Sequence, residues 1–361
     1  MLEQVVAAFD RRDYKTAAQL LRQLVKESPN NPWVKFYVGR LQEVSDKPEA
    51  AERTYRSLLQ ETNNPKLIAQ ARQGLERLAA AQQAKRKQAI AEAANDPANA
   101  GTGFLVLEPI SPEQRQAVIP SFAKLTQLDA YTARIHLSHR AWRLYRSGTL
   151  GELRVFAQEL HTAGIPAFWA AMEQIRKIRV FRVQYFESAS TQPTVVCLNE
   201  SEQAGSLSFD WTEVKQRVEG LLPIFEDVVD LGPWNKLKRK EATQDYAQIL
   251  DLHLPGRNSI LRFCDRTYQF QQGVEFDPYP AEDAPPAQST TRIRWNTLAT
   301  FLQTRLPEIP IWSDFTPFAD TALNTVELFQ EIKPHIGLFR KEPTPWDPAF
   351  HLYSSMVFLK P

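Results

Sequence analysis

Nine basic side chains fall between Arg134 and Arg182: Arg134, Arg140, Arg143, Arg146, Arg154, Arg176, Lys177, Arg179 and Arg182. Only three acids, Glu152, Glu159 and Glu173, share that stretch, and Trp142 and Tyr145 are interleaved with its arginines. Guanidinium forks bind pairs of phosphate or carboxylate oxygens, and aromatic rings stack bases. Arg134, Arg140, Arg143 and Arg146 are therefore the candidate residues for binding a small anion, a nucleotide or RNA, with Arg257 beside Gly256 as an extension. The same composition also describes a solvated strand face whose rings turn inward, or a surface for an acidic protein.

Other chemistry is poorly supplied. Gly101-Thr102-Gly103 lacks the further glycines of a phosphate-binding loop. The six histidines are dispersed, and neither Cys197 nor Cys264 belongs to a Cys-x-x-Cys pair. There is no Gly-x-Ser-x-Gly elbow. Triad partners meet in space rather than in sequence, so a dispersed triad stays open. No catalytic residue, cofactor or metal ligand is assigned. The expected protein is non-catalytic, with an enzyme of unrecognised type as an alternative.

The chain that must position these residues has 361 residues, 43% of them hydrophobic and 24% charged, with a net charge of +1. That length suits two or three domains, and the balance excludes a chain that is basic throughout. The first ten residues carry Glu3 and Asp10 and no basic cluster, unlike a secretory signal, and no apolar run reaches the roughly 20 residues that cross a bilayer. These features point to a cytoplasmic protein without a membrane span.

The first quarter repeats itself. Ala17, Leu21 and Leu24 recur as Ala51, Tyr55 and Leu58, each 34 residues on. Turn residues precede each set (Asp10 to Tyr14, Ser45 to Pro48) and close it (Ser28 to Pro32, Thr62 to Pro65). Gly39 stands where two helices must approach closely. This resembles the tetratricopeptide repeat, a helix–turn–helix of 34 residues, over about residues 2–95. Gly39 matches its close-packing glycine, Ala17 and Ala51 its small crossing residue, Tyr55 its aromatic and Pro29 its terminal proline. Val5, Leu21 and Asn63 depart from the pattern. The resemblance implies an α-solenoid of helical hairpins that binds a protein partner, and Arg11, Lys15, Lys35 and Arg40 are the candidate partner-binding residues. Two such units need a cap to cover their last apolar face. Leu67, Ile68, Ala71, Leu75 and Leu78, spaced for one helix face, supply it within Lys66 to Ala94.

Beyond a linker at 96–103 the periodicity changes to short strands mixed with helices, which predicts an α+β region with antiparallel sheets. The expected domains are 1–95, 104–232 and 233–361. Strands are expected at Phe104 to Leu107, Tyr131 to Leu137, Ala141 to Arg146, Ala167 to Ala171, Val180 to Phe186, Thr194 to Leu198 and Tyr353 to Leu359. Helices are expected at Ser111 to Leu125, Leu150 to Thr162, Trp211 to Gly220, Trp295 to Leu306 and Thr321 to Ile332, and a mobile loop at Phe276 to Ser289. Ile135-His136-Leu137-Ser138-His139-Arg140 resembles Leu252-His253-Leu254-Pro255-Gly256-Arg257, so 104–232 and 233–361 could be related halves. The functional expectation is a protein-interaction scaffold, or an assembly or regulatory factor. Binding of an anionic ligand by the α+β region is the alternative.

Overall fold

The computed structural model describes every residue except 232–236, 277–289, 325–328, 330, 341 and 361, and only the backbone at 226–231 and 237–242. The chain forms two compact units, Met1–Glu92 and Ala93–Pro361.

The first unit is all helical: α1 Leu2–Asp10, α2 Tyr14–Glu27, α3 Pro32–Val44, α4 Pro48–Glu61 and the start of α5 Pro65–Ala94. Local chemistry sets these boundaries. The Asp13 side chain accepts from the Thr16 amide at 3.1 Å, and Asn31 accepts from the Trp33 amide at 2.9 Å, satisfying donors that a helix start leaves open. Pro32, Pro48 and Pro65 each sit in a first turn, where no amide is needed. The spacing of 34 is spatial as well as sequential: Ala17, Leu21, Ala51, Tyr55 and Leu58 share one buried core with Val5, Leu67 and Ala71. Tyr55 lies between two glycines. A Cβ on Gly39 would come within 2.7 Å of its ring, and one on Gly74 within 2.6 Å. Past Gly74, α5 buries no residue.

The second unit begins with a short 3-10 turn at Pro97–Asn99, inside the expected linker, and β1 Thr102–Leu107. It continues through α6 Pro112–Thr126, α7 Ala130–His136, β2 Arg143–Thr149, α8 Leu150–Thr162, β3 Ala167–Ala171, α9 Met172–Lys177, β4 Arg179–Ser188, β5 Thr194–Leu198 and β6 Ala204–Ser208. It ends with β7 Gln216–Leu231, β8 Leu237–Leu254, β9 Ser259–Cys264, α10 Thr291–Arg305, β10 Ile311–Trp312, α11 Phe315–Ala322 and α12 Trp346–Leu359. A three-stranded antiparallel sheet has the order β2-β1-β3, and a seven-stranded sheet has the order β10-β7-β8-β9-β4-β5-β6. In the latter, β4–β9 and β10–β7 are parallel. The run Phe104-Leu105-Val106-Leu107 is buried on both faces. Phe104 and Val106 enter a core shared with α11, α12 and the larger sheet, while Leu105 and Leu107 enter one shared with α6 and α8. The far face of the larger sheet packs on α10 through Leu250, Leu252, Trp295 and Leu298.

Several expected elements differ. The expected boundary at 232/233 falls between β7 and β8, which pair from Gln216↔His253 to Leu231↔Leu237, so the hairpin belongs to one unit. Tyr131 to Leu137 is helical rather than extended. Asp129 accepts from the Tyr131 and Thr132 amides, and Ala133 and Leu137 are the buried pair, one turn apart. The expected helix Trp211 to Gly220 is a 3-10 turn at Trp211–Glu213 followed by β7, because Arg217, charged yet buried, breaks the strand alternation that would have marked it. The expected terminal strand Tyr353 to Leu359 is the end of α12, which is buried on every side from Ala349 to Val357 and so shows no polar stripe. Of the expected helix Thr321 to Ile332, Thr321 and Ala322 end α11, and 325–328 and 330 lie outside the described residues. The expected loop Phe276 to Ser289 lies outside them apart from Phe276. The echoed hexapeptides fall on unlike elements: the first ends helix α7, the second ends strand β8. They therefore carry no duplication. Among the described residues no helix is long and apolar enough to cross a membrane.

The glycine–tyrosine contact makes a sharp prediction. Gly39→Val should cost roughly 1–3 kcal/mol by overpacking. Adding Tyr55→Leu should restore part of the loss, since the equivalent positions of the first repeat already hold Val5 and Leu21. Urea unfolding of the full chain, followed by far-ultraviolet circular dichroism, measures both; strictly additive losses would contradict the steric account.

Candidate functional site

In the repeat module Tyr55 Oη donates to Glu43 Oε2 at 2.8 Å, and Arg77 Nε donates to Glu43 Oε1 at 2.8 Å. Burial raises the Glu43 carboxyl, but the bonds from Arg77 and Tyr55 outweigh it and hold it below the usual range. Burial, reinforced by Glu43, pushes the Tyr55 phenol up. One acidic residue thereby ties α3, α4 and α5 together. The expected partner-binding residues occupy two places. Arg11 caps α1 and Lys15 lies in the first turn of α2, both exposed. Lys35 and Arg40 lie on α3, where Lys35 is ion-paired with Glu61 and Arg40 sits 5.3 Å over the Phe9 ring. Arg40 thus adjoins the end of α1 that carries Arg11.

The expected anion-binding residues are also divided. Arg134 and Arg140 are exposed on α7 and in the loop after it, and the Arg134 carbonyl accepts from the Arg115 guanidinium. Arg143 begins β2, half-buried. Its guanidinium is pulled below its ordinary range by burial and then by Arg115, and His136 is lowered by burial and by Arg143. Arg146 is ion-paired with Glu152 at 2.6 Å. Arg257 lies elsewhere, in the β8–β9 turn, bonded to Glu213 at 2.6 Å and to the Ser208 carbonyl at 2.8 Å. The two rings turn inward. Trp142 packs at 4.9 Å from Phe168 and 4.7 Å from Trp312, and Tyr145 stacks on Phe156 at 5.7 Å. Arg115 and Arg143 remain as a half-buried cationic pair beside the His136 imidazole.

A polar cluster that the sequence reading did not find lies under α12. Alternation along β8 puts Asp251 and His253 on one face, and the register sets Arg262 of β9 directly opposite Asp251. Arg262 donates to both Asp251 oxygens, at 2.8 and 2.7 Å. Ser354 of α12 donates to Asp251 Oδ2 at 2.5 Å, and His253 Nε2 lies 2.9 Å from the same hydroxyl. Arg262 also donates to the Pro334 carbonyl at 2.6 Å. Asp251, His253 and Ser354 are each fully buried. The order is Asp–Ser–His. The serine proton is committed to the carboxylate and its lone pairs face the imidazole, so this arrangement holds elements together and offers no nucleophile. Burial pushes the Cys197 and Cys264 thiols up to about 11, which keeps them protonated. The available signal was the pair of polar residues two apart in the otherwise apolar run Ile249 to Leu254 that ends β8.

Burial lowers His253 and His335 to about 4, and lowers His351 well below its ordinary value. Each folded value lies below the unfolded one of about 6.5. As pH falls from there toward 4, the unfolded chain binds protons that the folded chain refuses, and stability is lost; for His253 the total is roughly 3 kcal/mol. Asp347, raised by burial to about 6, opposes this between about pH 6 and pH 4, one carboxyl against three imidazoles. The thermal midpoint of the full chain should therefore fall between pH 7 and pH 4.5, and a flat profile would contradict the burial. Asp251→Ala, which strands Arg262, should cost about 3–5 kcal/mol in chemical unfolding.

The family model described as tetratricopeptide repeat matches residues 8–75. No curated protein and no solved structure matches the chain.

Proposed function

From the tetratricopeptide repeats at residues 8–75, we propose that this is a non-catalytic interaction protein, an assembly or regulatory scaffold of the cytoplasm, whose helical module takes an acidic segment of a protein partner. Such repeats suggest a role in protein–protein interaction. The charge of the module carries the choice of partner. Residues 1–92 hold sixteen Lys and Arg against eleven Asp and Glu, whereas 93–361 hold 27 against 31. Glu43, Glu52 and Glu61 are already engaged with Arg77, Arg56 and Lys35, so the module's acids are partly spent within it. Arg11, Lys15, Arg22 and Arg53 are exposed. Opposite charge across an interface favours encounter and rejects like-charged partners.

A second reading rests on one observation. Arg115 and Arg143 lie close enough to repel, a placement that a small anion would relieve.

The two separate in one experiment. Fluorescence anisotropy of the full chain, titrated with a labelled Glu-rich amphipathic peptide, should show binding that a Lys-rich counterpart lacks. Reversing Arg11 and Lys15 to Glu should weaken it by about tenfold, and added salt should weaken it further. Equal binding of both peptides, or indifference to the reversal, would contradict the repeat-module reading. Loss on Arg143→Glu alone would favour the anion reading.

A further inference from the structure

A cavity of about 410 Å³ opens between α10 and the face of the seven-stranded sheet made by β7 and β8. Strand alternation puts Arg217, Glu219 and Leu221 on its floor, and Leu250 joins them because it pairs with Glu219. Trp295 and Asn296 of α10 form the opposite wall. The volume is that of a small-molecule site, and its lining is divided evenly between polar residues, Gln248, Ser313 and Thr316 among them, and apolar or glycine positions.

Arg217 is the unusual member. It is 5% exposed. Its Nη2 is ion-paired with Glu219 at 2.5 Å, but Nη1 reaches the Ala299 carbonyl only at 3.3 Å and Gln303 Oε1 at 3.5 Å. The buried Nε has no acceptor among the described residues. Burial pulls this guanidinium below its ordinary range, the direction expected of a charge incompletely compensated. Nε is sealed from the cavity, so Nη1, held only by these two long contacts, is the donor that favours a ligand bringing an acceptor.

We propose that this cavity binds an uncharged molecule with an apolar, ring-sized body and an amide-type edge, its carbonyl accepting from Arg217 and its N–H donating to Glu219. Leu221 and Leu250 of the floor and Trp295 of the wall select the apolar body. The Arg217–Glu219 pair selects the head. It sums to zero charge, so an anion meets Glu219 and a cation meets Arg217, whereas an acceptor and a donor side by side serve both without breaking the pair. The site is independent of the repeat module and of its partner.

Three probes that share one ring test this: benzamide, benzoate and benzylamine. Each is titrated into the full chain and followed by saturation-transfer nuclear magnetic resonance and by the thermal midpoint. Benzamide should bind, with a dissociation constant on the order of a millimolar for so small a probe. The two charged analogues should bind at least about tenfold more weakly. Leu221→Trp fills the cavity from a lining position already 46% exposed, so the fold should tolerate it, and benzamide binding should be lost. Arg217→Met should weaken benzamide by a similar factor. If it fails to fold, the Leu221 variant and the charge series still decide. Tighter binding of benzoate or benzylamine would overturn the assigned head group. No binding of benzamide, or binding unchanged by Leu221→Trp, would overturn the site.

Discussion

The helical module depends on one steric constraint: the Tyr55 ring fills the space between α3, α4 and α5 only because Gly39 and Gly74 present no side chain to it. A helical hairpin cannot bury its apolar face alone, so each must stack on the next, and the stacking distance is set by the residues at the crossings. Ala17 and Ala51 do this on α2 and α4, at 0% exposure each. Once Tyr55 is in place its hydroxyl reaches Glu43, which in turn holds Arg77. A single polar chain therefore locks three helices whose apolar contacts are otherwise non-directional. This leaves the basic side chains of the surface displayed on a rigid frame.

The larger unit solves a different problem. Two sheets of different size share a core with α11 and α12, and α12 is buried from Ala349 to Val357, largely among apolar neighbours. Such packing does not by itself specify the rotation of the helix. Ser354 and its bond to Asp251 supply that specificity, and Arg262 extends it to the chain at Pro334. A buried ion pair is weak evidence for stability, and what it adds here is direction, since each bond fixes one partner atom against another. The carboxylate takes both the arginine fork and the serine proton, so one side chain fixes β9 and α12 to β8 at once.

The repeat module was legible because its signals are local and recur: small residues 34 apart, prolines at first turns, and Asp13 and Asn31 as caps. The strands Ala167–Ala171 and Thr194–Leu198 were equally plain, as short apolar runs between breakers. Elements buried on both sides were not. In α12 the burial of Ser354, Ser355 and His351 removed the polar stripe that reveals a helix, and in β7 the buried Arg217 imitated a surface position. The short helix α7 was read as a strand because its alternation concealed the Asp129 cap. The Arg-rich stretch was visible as composition, but pairing partners distant in sequence, Arg257 with Glu213 or Arg262 with Asp251, are decided by register and could not be read beforehand. The cavity beside Arg217 likewise exists only once β7, β8 and α10 are assembled.

If the frame built around Tyr55 exists to present a basic surface, the partner should be lost when that surface is inverted and kept when the α+β region is altered. The most direct measurement is affinity capture from native lysate with three full-length baits, read by quantitative mass spectrometry at low and high salt. The baits are the unaltered chain, the chain with Arg11 and Lys15 reversed to Glu, and the chain with Arg143 reversed to Glu. The account expects one defined protein on the unaltered and Arg143→Glu baits, released by salt and absent from the repeat variant. Retention of that protein by the repeat variant, with loss from Arg143→Glu, would contradict it.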